Sequence, residues 1–202
     1  MSLLKVISKC QIRYEKTSKS KSRLMKMIFN KTNLNDVFLI ELEKKGDDRG
    51  FFARSWDTKV FEENGLNSKI VQCNISQSSK KGTLRGMHYQ IAPFEESKLI
   101  RCTRGKIFDV LIDLRKNSTS YKKWEGFELS SENHNIVYVP EGFAHGFQSL
   151  EDNTEIFYQV SQFYSPKSER GIRWNDPTFE IKWPLENKII SEKDSNWLDF
   201  KE

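Results

Sequence analysis

Two of the three histidines in this 202-residue chain lie in glycine-containing segments where a side chain could do chemistry. His88 lies in residues 84–90 (LRGMHYQ), and His145 lies in residues 140–147 (PEGFAHGF). The ordinary pKa of imidazole lies near neutral pH, so His88 is a candidate for proton transfer, whereas a buried, hydrogen-bonded structural role is the alternative. The third histidine, His134, lies in a polar run that predicts a surface turn.

A metal site is the other chemistry that histidines offer, and the sequence argues against it. Zinc or iron needs three or four protein ligands, and the chain has no HxH or HExxH motif and no third histidine in a similar setting. Its three cysteines, Cys10, Cys73 and Cys102, form no CxxC pair and are an odd number. They predict free thiols in a reducing compartment rather than a disulfide framework or a zinc ribbon.

Short strands are predicted to position the candidate residues. In residues 70–76, alternation puts three polar side chains on one face: Gln72, Asn74 and Ser76. In residues 106–115 it separates an apolar face from Asp109 and Asp113. Further strands are predicted over 37–42, 99–103, 124–129, 136–139 and 156–161, and one helix over 58–64 with Asp57 as N-cap. Many short strands with little helix predict an all-β sandwich or jelly-roll barrel with a lined cavity.

The charge distribution divides the chain in two. The formal net charge is +5, but residues 1–26 carry +7 and residues 27–202 carry −2. We therefore predict a flexible basic extension over 1–26 and a single domain over 27–202. The extension is a solvated tail, an upstream translation artefact or a polyanion-binding arm. No basic stripe with interleaved aromatics follows residue 26, and no apolar run approaches a membrane span of about 18 residues, so we expect a cytoplasmic protein that binds neither nucleic acid nor membrane.

Five segments together resemble one enzyme family. They are residues 82–90 (GTLRGMHYQ), 98–110 (KLIRCTRGKIFDV), 139–147 (VPEGFAHGF), 169–177 (ERGIRWNDP) and 185–194 (LENKIISEKD). In order and spacing they resemble the dTDP-4-dehydrorhamnose 3,5-epimerase family from about residue 27 to about residue 199. The resemblance implies a cupin-type jelly roll with a few short helices, a homodimer, and no metal or organic cofactor.

The same resemblance implies a reaction and a set of catalytic residues. The reaction is inversion at C3 and C5 of a 4-keto-6-deoxyhexose attached to a nucleoside diphosphate. His88 would be the base, Asp194 the carboxylate that orients it, Lys98 the cation that stabilises the enolate oxygen, and Tyr158 the acid on the opposite face. These residue types suit the chemistry, because preorganised groups at a developing charge are commonly the largest catalytic contribution.

The resemblance also implies the substrate-binding residues, with one departure from the family pattern. The nucleotide and sugar would contact Arg49, Gln72, Asn74, Arg85, His145, Glu169 and Lys193, with Tyr164 closing the pocket. Arg54 stands where the family usually has a glutamate that is associated with the nucleobase. A cationic donor cannot make the same contact with a thymine N–H, so another base, such as cytosine or guanine, is an alternative hypothesis.

Three other functions stay open at this point. A relative that inverts only C3 or only C5, or a 3,4-ketoisomerase, would use a similar barrel, because the same base and acid can serve one or two centres. A non-catalytic carbohydrate-binding cupin would need the pocket but not His88, Lys98, Tyr158 and Asp194 together.

Overall fold

The computed structural model describes residues 26–186 and 188–202. The predicted basic extension therefore lies outside the described residues except for Lys26. Within this part of the chain there are fourteen strands and two short helices. They are β1 (Met27–Lys31), β2 (Phe38–Leu42), β3 (Lys45–Asp47), β4 (Gly50–Phe52), α1 (Thr58–Glu63), β5 (Gln72–Ser78), β6 (Thr83–Gln90), β7 (Lys98–Arg104), β8 (Lys106–Asp113), β9 (Trp124–Ser130), β10 (Ile136–Val139), β11 (Phe143–Ser149), β12 (Thr154–Val160), β13 (Glu169–Gly171), β14 (Ile189–Ile190) and α2 (Glu192–Ser195).

Two large sheets form the body of the fold. The first sheet has the order β1-β2-β10-β7-β12-β5, and every pairing in it is antiparallel. The second has the order β13-β6-β11-β8-β9, and β14 adds to β6 in parallel. Strands β3 and β4 form a separate hairpin. The all-β prediction is thus confirmed, with two sheets that do not close into a continuous barrel.

The central core lies between the two sheets. Both sheets contribute buried side chains to it, including Ile100 and Ile156 from the first and Leu111 and Phe147 from the second. Strand β8 shows how alternation builds this arrangement, because Leu111 belongs to the central core whereas Val110 and Ile112 pack in a separate cluster with residues of the C-terminal segment. Burial of this apolar surface is the main stabilising contribution to a fold of this kind.

The predicted elements are found with small shifts in their ends. Strand β5 begins two residues later than predicted, β8 ends at Asp113, and α1 ends at Glu63. Asp57 is the N-cap of α1, and its side chain accepts a hydrogen bond from the Lys59 amide at 3.1 Å. Strands β6 and β11, which carry the two candidate histidines, are additional to those predicted.

Candidate active site

Two adjoining cavities open between the sheets, with volumes of about 220 and 360 Å³. His88, Lys98 and Tyr158 line both of them and so lie at their junction. The smaller cavity is also lined by Ser76, Arg85, His145, Phe147, Ile156 and Asp194. The larger one is also lined by Gln72, Asn74, Tyr89, Gln90, Glu96, Val160, Tyr164 and Glu169. The two together have the size of a small-molecule site.

His88 and Asp194 form a hydrogen-bonded dyad. The Asp194 Oδ1 atom lies 2.7 Å from His88 Nε2, and Asp194 Oδ2 accepts a hydrogen bond from the Gly86 amide at 3.3 Å. Burial alone would raise the pKa of Asp194, but the hydrogen bonds from His88 and Gly86 and the nearby imidazole charge outweigh it and lower this pKa. Asp194 therefore stays ionised and holds the imidazole in one orientation.

Local structure explains how this dyad is assembled. Asp194 is 4% exposed and lies in α2, where Ser191 caps the helix by accepting a hydrogen bond from the Asp194 amide at 3.1 Å. His88 lies on β6 near its bulged pairing with β11. Gly86 has a φ of +125°, and a Cβ there would lie 2.5 Å from Gly146 Cα. Only glycine fits, which explains the glycine close to the candidate base in the sequence.

Lys98 and Tyr158 lie on the first sheet, opposite the sheet that carries His88. Tyr158 is on β12, beside Asn74 of β5, and Lys98 begins β7. Burial raises the pKa of Tyr158, and the negative charge of Glu96 raises it further, whereas Arg85 lowers it. Tyr158 is therefore protonated at neutral pH and can donate a proton.

His145 has its own carboxylate partner. Its Nε2 atom lies 2.7 Å from Oδ1 of Asp109, a residue of β8 that is 0% exposed. Asp109 Oδ2 is buried and has no hydrogen-bond partner in the described part of the chain. The second histidine is thus held in place separately from the first.

A cluster of polar side chains closes the far side of the larger cavity. The Tyr164 hydroxyl donates to Glu169 Oε2 at 2.7 Å, and Lys193 Nζ donates to Glu169 Oε1 at 2.6 Å. Burial would raise the pKa of Glu169, but these two hydrogen bonds lower it. The cluster links α2, β13 and the loop before β13 at the cavity rim.

Arg85 is the basic side chain of the smaller cavity that has no carboxylate of its own. The other three basic groups that line this cavity each lie within 3.0 Å of one: His88 with Asp194, His145 with Asp109, and Lys98 with Glu96. Arg85 donates to the Gln77 carbonyl at 3.2 Å and makes no ion pair among the described residues. It is therefore the group with a positive charge available to an anionic ligand.

The structure places Arg49 and Arg54 away from both cavities. Arg49 is in the β3–β4 hairpin, where its side chain is 89% exposed and binds Asp47. Arg54 pairs with Asp57, the N-cap of α1. The site assembled within one chain thus contains the predicted residues except these two, and Lys193 joins it through Glu169.

The residues of the site without a predicted functional role include Ser76 and Glu96, which line the cavities, and Asp109, which binds His145. Ser76 shares the polar face predicted for β5, and Asp109 was predicted to lie opposite the apolar face of β8, so alternation provided a signal for both. Glu96 lies in a loop, where no periodicity distinguishes it from the neighbouring Glu95.

Two features of the described residues bear on other functions. Across residues 26–186 and 188–202, no three His, Cys, Asp or Glu side chains gather in a way that would hold a metal ion. In the same part of the chain, neither helix has the length and apolar character that a membrane crossing requires.

Comparison with known proteins identifies close relatives. The family model described as dTDP-4-dehydrorhamnose 3,5-epimerase matches residues 31–202. A protein of that name from Shigella flexneri is 47% identical over 171 residues, which cover 84% of this chain and 94% of the relative. Two crystal structures are similar as well. One, from Bacillus anthracis with TDP and PPi bound, has a TM-score of 0.84, is 42% identical and covers 87% of this chain and 100% of that chain. The other, from Legionella pneumophila in complex with dTDP-4-keto-L-rhamnose, has a TM-score of 0.81, is 38% identical and covers 86% of this chain and 93% of that chain.

Proposed function

The chain belongs to the dTDP-4-dehydrorhamnose 3,5-epimerase family, and from this premise we propose which of its residues carry the reaction. Its fold is the cupin-type jelly roll that the sequence predicted. It is an isomerase that inverts C3 and C5 of a nucleoside-diphosphate-linked 4-keto-6-deoxyhexose. The observation that carries the residue assignment is that His88, which Asp194 orients, and Tyr158 lie on opposite sheets and line the same two cavities.

His88 is the base. Because Asp194 accepts the hydrogen bond from Nε2, the lone pair of the neutral imidazole lies on Nδ1. This nitrogen takes the proton from the carbon next to the C4 carbonyl, and the electron pair of the C–H bond moves to the C4 oxygen as an enolate. Asp194 stabilises the imidazolium that forms.

Tyr158 is the acid that completes the inversion. Its hydroxyl gives its proton to the opposite face of the same carbon while the enolate electron pair returns to form the new C–H bond. The products are the inverted centre, a phenolate and an imidazolium, and solvent restores both protonation states. One base and one acid on opposite walls can serve C3 and C5 in turn when the sugar is bound in two orientations.

The reaction requires positive groups at two places, the enolate oxygen and the diphosphate, and we assign Lys98 to the first and Arg85 to the second. Lys98 lies at the junction of the cavities beside the proposed base and acid, so its ammonium stabilises the enolate oxygen. Arg85, which has no carboxylate partner among the described residues, binds the diphosphate. A guanidinium suits this second role because it can donate two parallel hydrogen bonds to phosphate oxygens.

The nucleotide sugar that we propose is linked to dTDP. The support is that relatives similar over most of their length are named for the dTDP sugar, and one structure holds dTDP-4-keto-L-rhamnose. Gln72 and Asn74 line the larger cavity and offer amide groups that can pair with a base or a sugar. If the nucleobase is instead cytosine or guanine, as Arg54 suggests, a CDP- or GDP-linked sugar should be turned over faster than the dTDP-linked one.

We propose that the active form is a homodimer. Large apolar side chains are exposed on the β3–β4 hairpin and on the edge strand β5, with Phe52 65% and Ile75 68% exposed. Arg49 and Arg54 line neither cavity of their own chain, and we propose that in the dimer they contact the substrate bound to the partner. Sedimentation equilibrium should give twice the chain mass of 23.8 kDa, and Ile75→Lys should lower it; a monomer at micromolar concentration would contradict the proposal.

We also propose a cytoplasmic location. Cys73 and Cys102 are free thiols, which suits a reducing compartment, and Cys10 lies outside the described residues. Cell fractionation with antibody detection should find the protein in the cytosolic fraction, and recovery from a secreted or membrane fraction would contradict this location.

One experiment tests the proposed function directly. The protein is incubated in deuterated water with 4-keto-6-deoxyglucose linked to dTDP, CDP or GDP, and label position and product configuration are read by NMR. We expect deuterium at both C3 and C5 and the fastest turnover with dTDP. Label at one carbon alone would identify a single-centre epimerase, and binding without exchange would identify a non-catalytic binding protein.

A further inference from the structure

Glu96 is a carboxylate of the larger cavity that has no role in the reaction described above. Its Oε1 atom lies 3.0 Å from Lys98 Nζ, and both side chains are 13% exposed. Glu96 lies in the loop before β7, two positions from Lys98, which begins that strand. An ion pair this well shielded from water is held more firmly than an exposed one.

The backbone that carries this pair is fixed at both ends of its loop. The Ser97 amide donates to Ser161 Oγ at 2.8 Å, and the Ser161 amide donates to the Ser97 carbonyl at 3.1 Å. Earlier in the same loop, the buried Gln90 side chain donates to the Phe94 carbonyl at 2.8 Å. Glu96 is therefore held on a rigid support, as a positioning residue requires.

A lysine in this position needs such a support. Its four-carbon stem has many rotamers, and its ammonium is a compact charge whose effect on an enolate oxygen depends on distance. A carboxylate that accepts one of the three N–H donors restricts the stem and leaves the other two for substrate.

We propose that Glu96 is a positioning residue that holds the Lys98 ammonium at the junction of the two cavities, where the enolate oxygen forms. This inference rests on the proposed function, because it assigns a purpose to a residue that acts through Lys98. It also predicts that the contribution of Glu96 appears in the chemical step rather than in the binding of the nucleotide.

Glu96 has a second effect that a purely structural residue would lack. Its negative charge contributes to the raised pKa of Tyr158, after the larger effect of burial. The titratable groups that share the two cavities with Tyr158 are Arg85, His88, Tyr89, Glu96, Lys98, His145, Tyr164, Glu169 and Asp194. Removing the charge of Glu96 while the others remain lowers the pKa of Tyr158, so the alkaline limit of kcat moves to lower pH.

The test compares Glu96→Gln with Glu95→Gln, a change at the exposed neighbouring glutamate. We expect Glu96→Gln to lower kcat about tenfold or more with KM within about threefold of the parent, and to shift the alkaline limb of the kcat profile downward. Glu95→Gln should match the parent in kcat, in KM and in the alkaline limb of the kcat profile. Glu96→Asp, which keeps the charge on a shorter stem, should lower kcat but retain the parent's alkaline limb more closely than Glu96→Gln does.

One result would contradict the positioning role of Glu96, and a different result would contradict the proposed function. If the parent and Glu95→Gln exchange deuterium normally and Glu96→Gln has the same kcat and the same alkaline limb, the positioning role of Glu96 is wrong. If the parent itself exchanges no deuterium, the proposed function fails instead. Circular dichroism and the urea midpoint of each variant establish that all three are folded as the parent is.

Discussion

His88 and His145 are direct cross-strand partners, paired in the register of β6 and β11. Adjacent imidazoles would repel each other if both were protonated, yet each has a separate buried carboxylate at 2.7 Å, Asp194 for His88 and Asp109 for His145. The two carboxylates come from different elements, α2 and β8. One histidine can therefore gain and lose a proton during the reaction while its neighbour stays fixed in orientation.

The first prediction concerns the base. His88→Asn should lower kcat by about a hundred- to ten-thousandfold, because general base catalysis contributes that much. Substrate binding should persist, since Arg85 and the amides of the larger cavity are unchanged. Deuterium incorporation and isothermal calorimetry measure the two effects, and His134→Asn, outside both cavities, is the control. Undiminished solvent exchange in His88→Asn would refute its assignment as the base.

The second prediction concerns the acid. Tyr158→Phe removes the proton donor but keeps the ring, so product formation should fall by about a hundredfold or more. Burial raises the pKa of Tyr158, so in the parent the loss of activity caused by its ionisation should begin only above the ordinary tyrosine value of about 10. Tyr121 lines neither cavity, so Tyr121→Phe should leave the rate of product formation and the pH at which activity is lost unchanged. Full activity in Tyr158→Phe would show that another group donates the proton.

The third prediction concerns the diphosphate. Arg85→Met should raise KM roughly ten- to a hundredfold with kcat within a few fold, because a hydrogen bond to a charged group contributes about 1.5–3 kcal/mol and the diphosphate is bound throughout the reaction. Steady-state kinetics measure the split between the two constants. The matched control is Arg104→Met at the exposed end of β7. An unchanged KM in Arg85→Met would mean that the diphosphate binds elsewhere.

The fourth prediction concerns stability at the end of β8. Asp113 is 0% exposed and accepts hydrogen bonds from Arg115, Ser118 and Ser120. Arg115 also pairs with Asp36, whose side chain is 60% exposed. Asp113→Asn should lower the free energy of unfolding by about 3 kcal/mol, whereas Asp36→Asn should lower it by about 1 kcal/mol or less.

The pH dependence of that difference follows from the pKa of Asp113. Burial would raise this pKa, but the hydrogen bonds from Arg115, Ser118 and Ser120 lower it below the ordinary value near 3.9. The stabilising contribution is therefore present above about pH 4 and is lost as the pH falls through the folded-state pKa. Urea unfolding at pH 7 and pH 3 should show the gap between Asp113→Asn and the parent narrowing at the lower pH, and a gap that widens there would contradict the account.

The alternation of polar and apolar residues predicted which side chains of a strand share a face, and this was enough to find one wall of the candidate site. The polar face of β5 does line the cavities through Gln72, Asn74 and Ser76. Strands β6 and β11 were not predicted because glycines such as Gly86 and Gly146 interrupt the pattern where the two backbones approach closely. The resemblance named Asp194 as the partner of His88, whereas no local pattern could, because 106 positions separate the two residues.

The positions of Arg49 and Arg54 could not be derived from one sequence either. Arg49 lies in the turn between β3 and β4, and Arg54 follows β4. This hairpin pairs only with itself among the described strands. A short isolated hairpin has no sheet neighbours to define where its side chains point. The resemblance therefore assigned them binding roles but could not give their distance from the cavities.

The location of Asp194 in α2 affects when the enzyme becomes competent during its own synthesis. A ribosome that has released every strand from β1 to β13 has produced the strands of both sheets that carry His88, Lys98 and Tyr158, but the carboxylate for the imidazole is still untranslated or inside the exit tunnel. The base acquires its partner only when α2 docks against β6. A nascent or prematurely stopped chain can therefore fold most of its sheets and still be unable to turn over the nucleotide sugar.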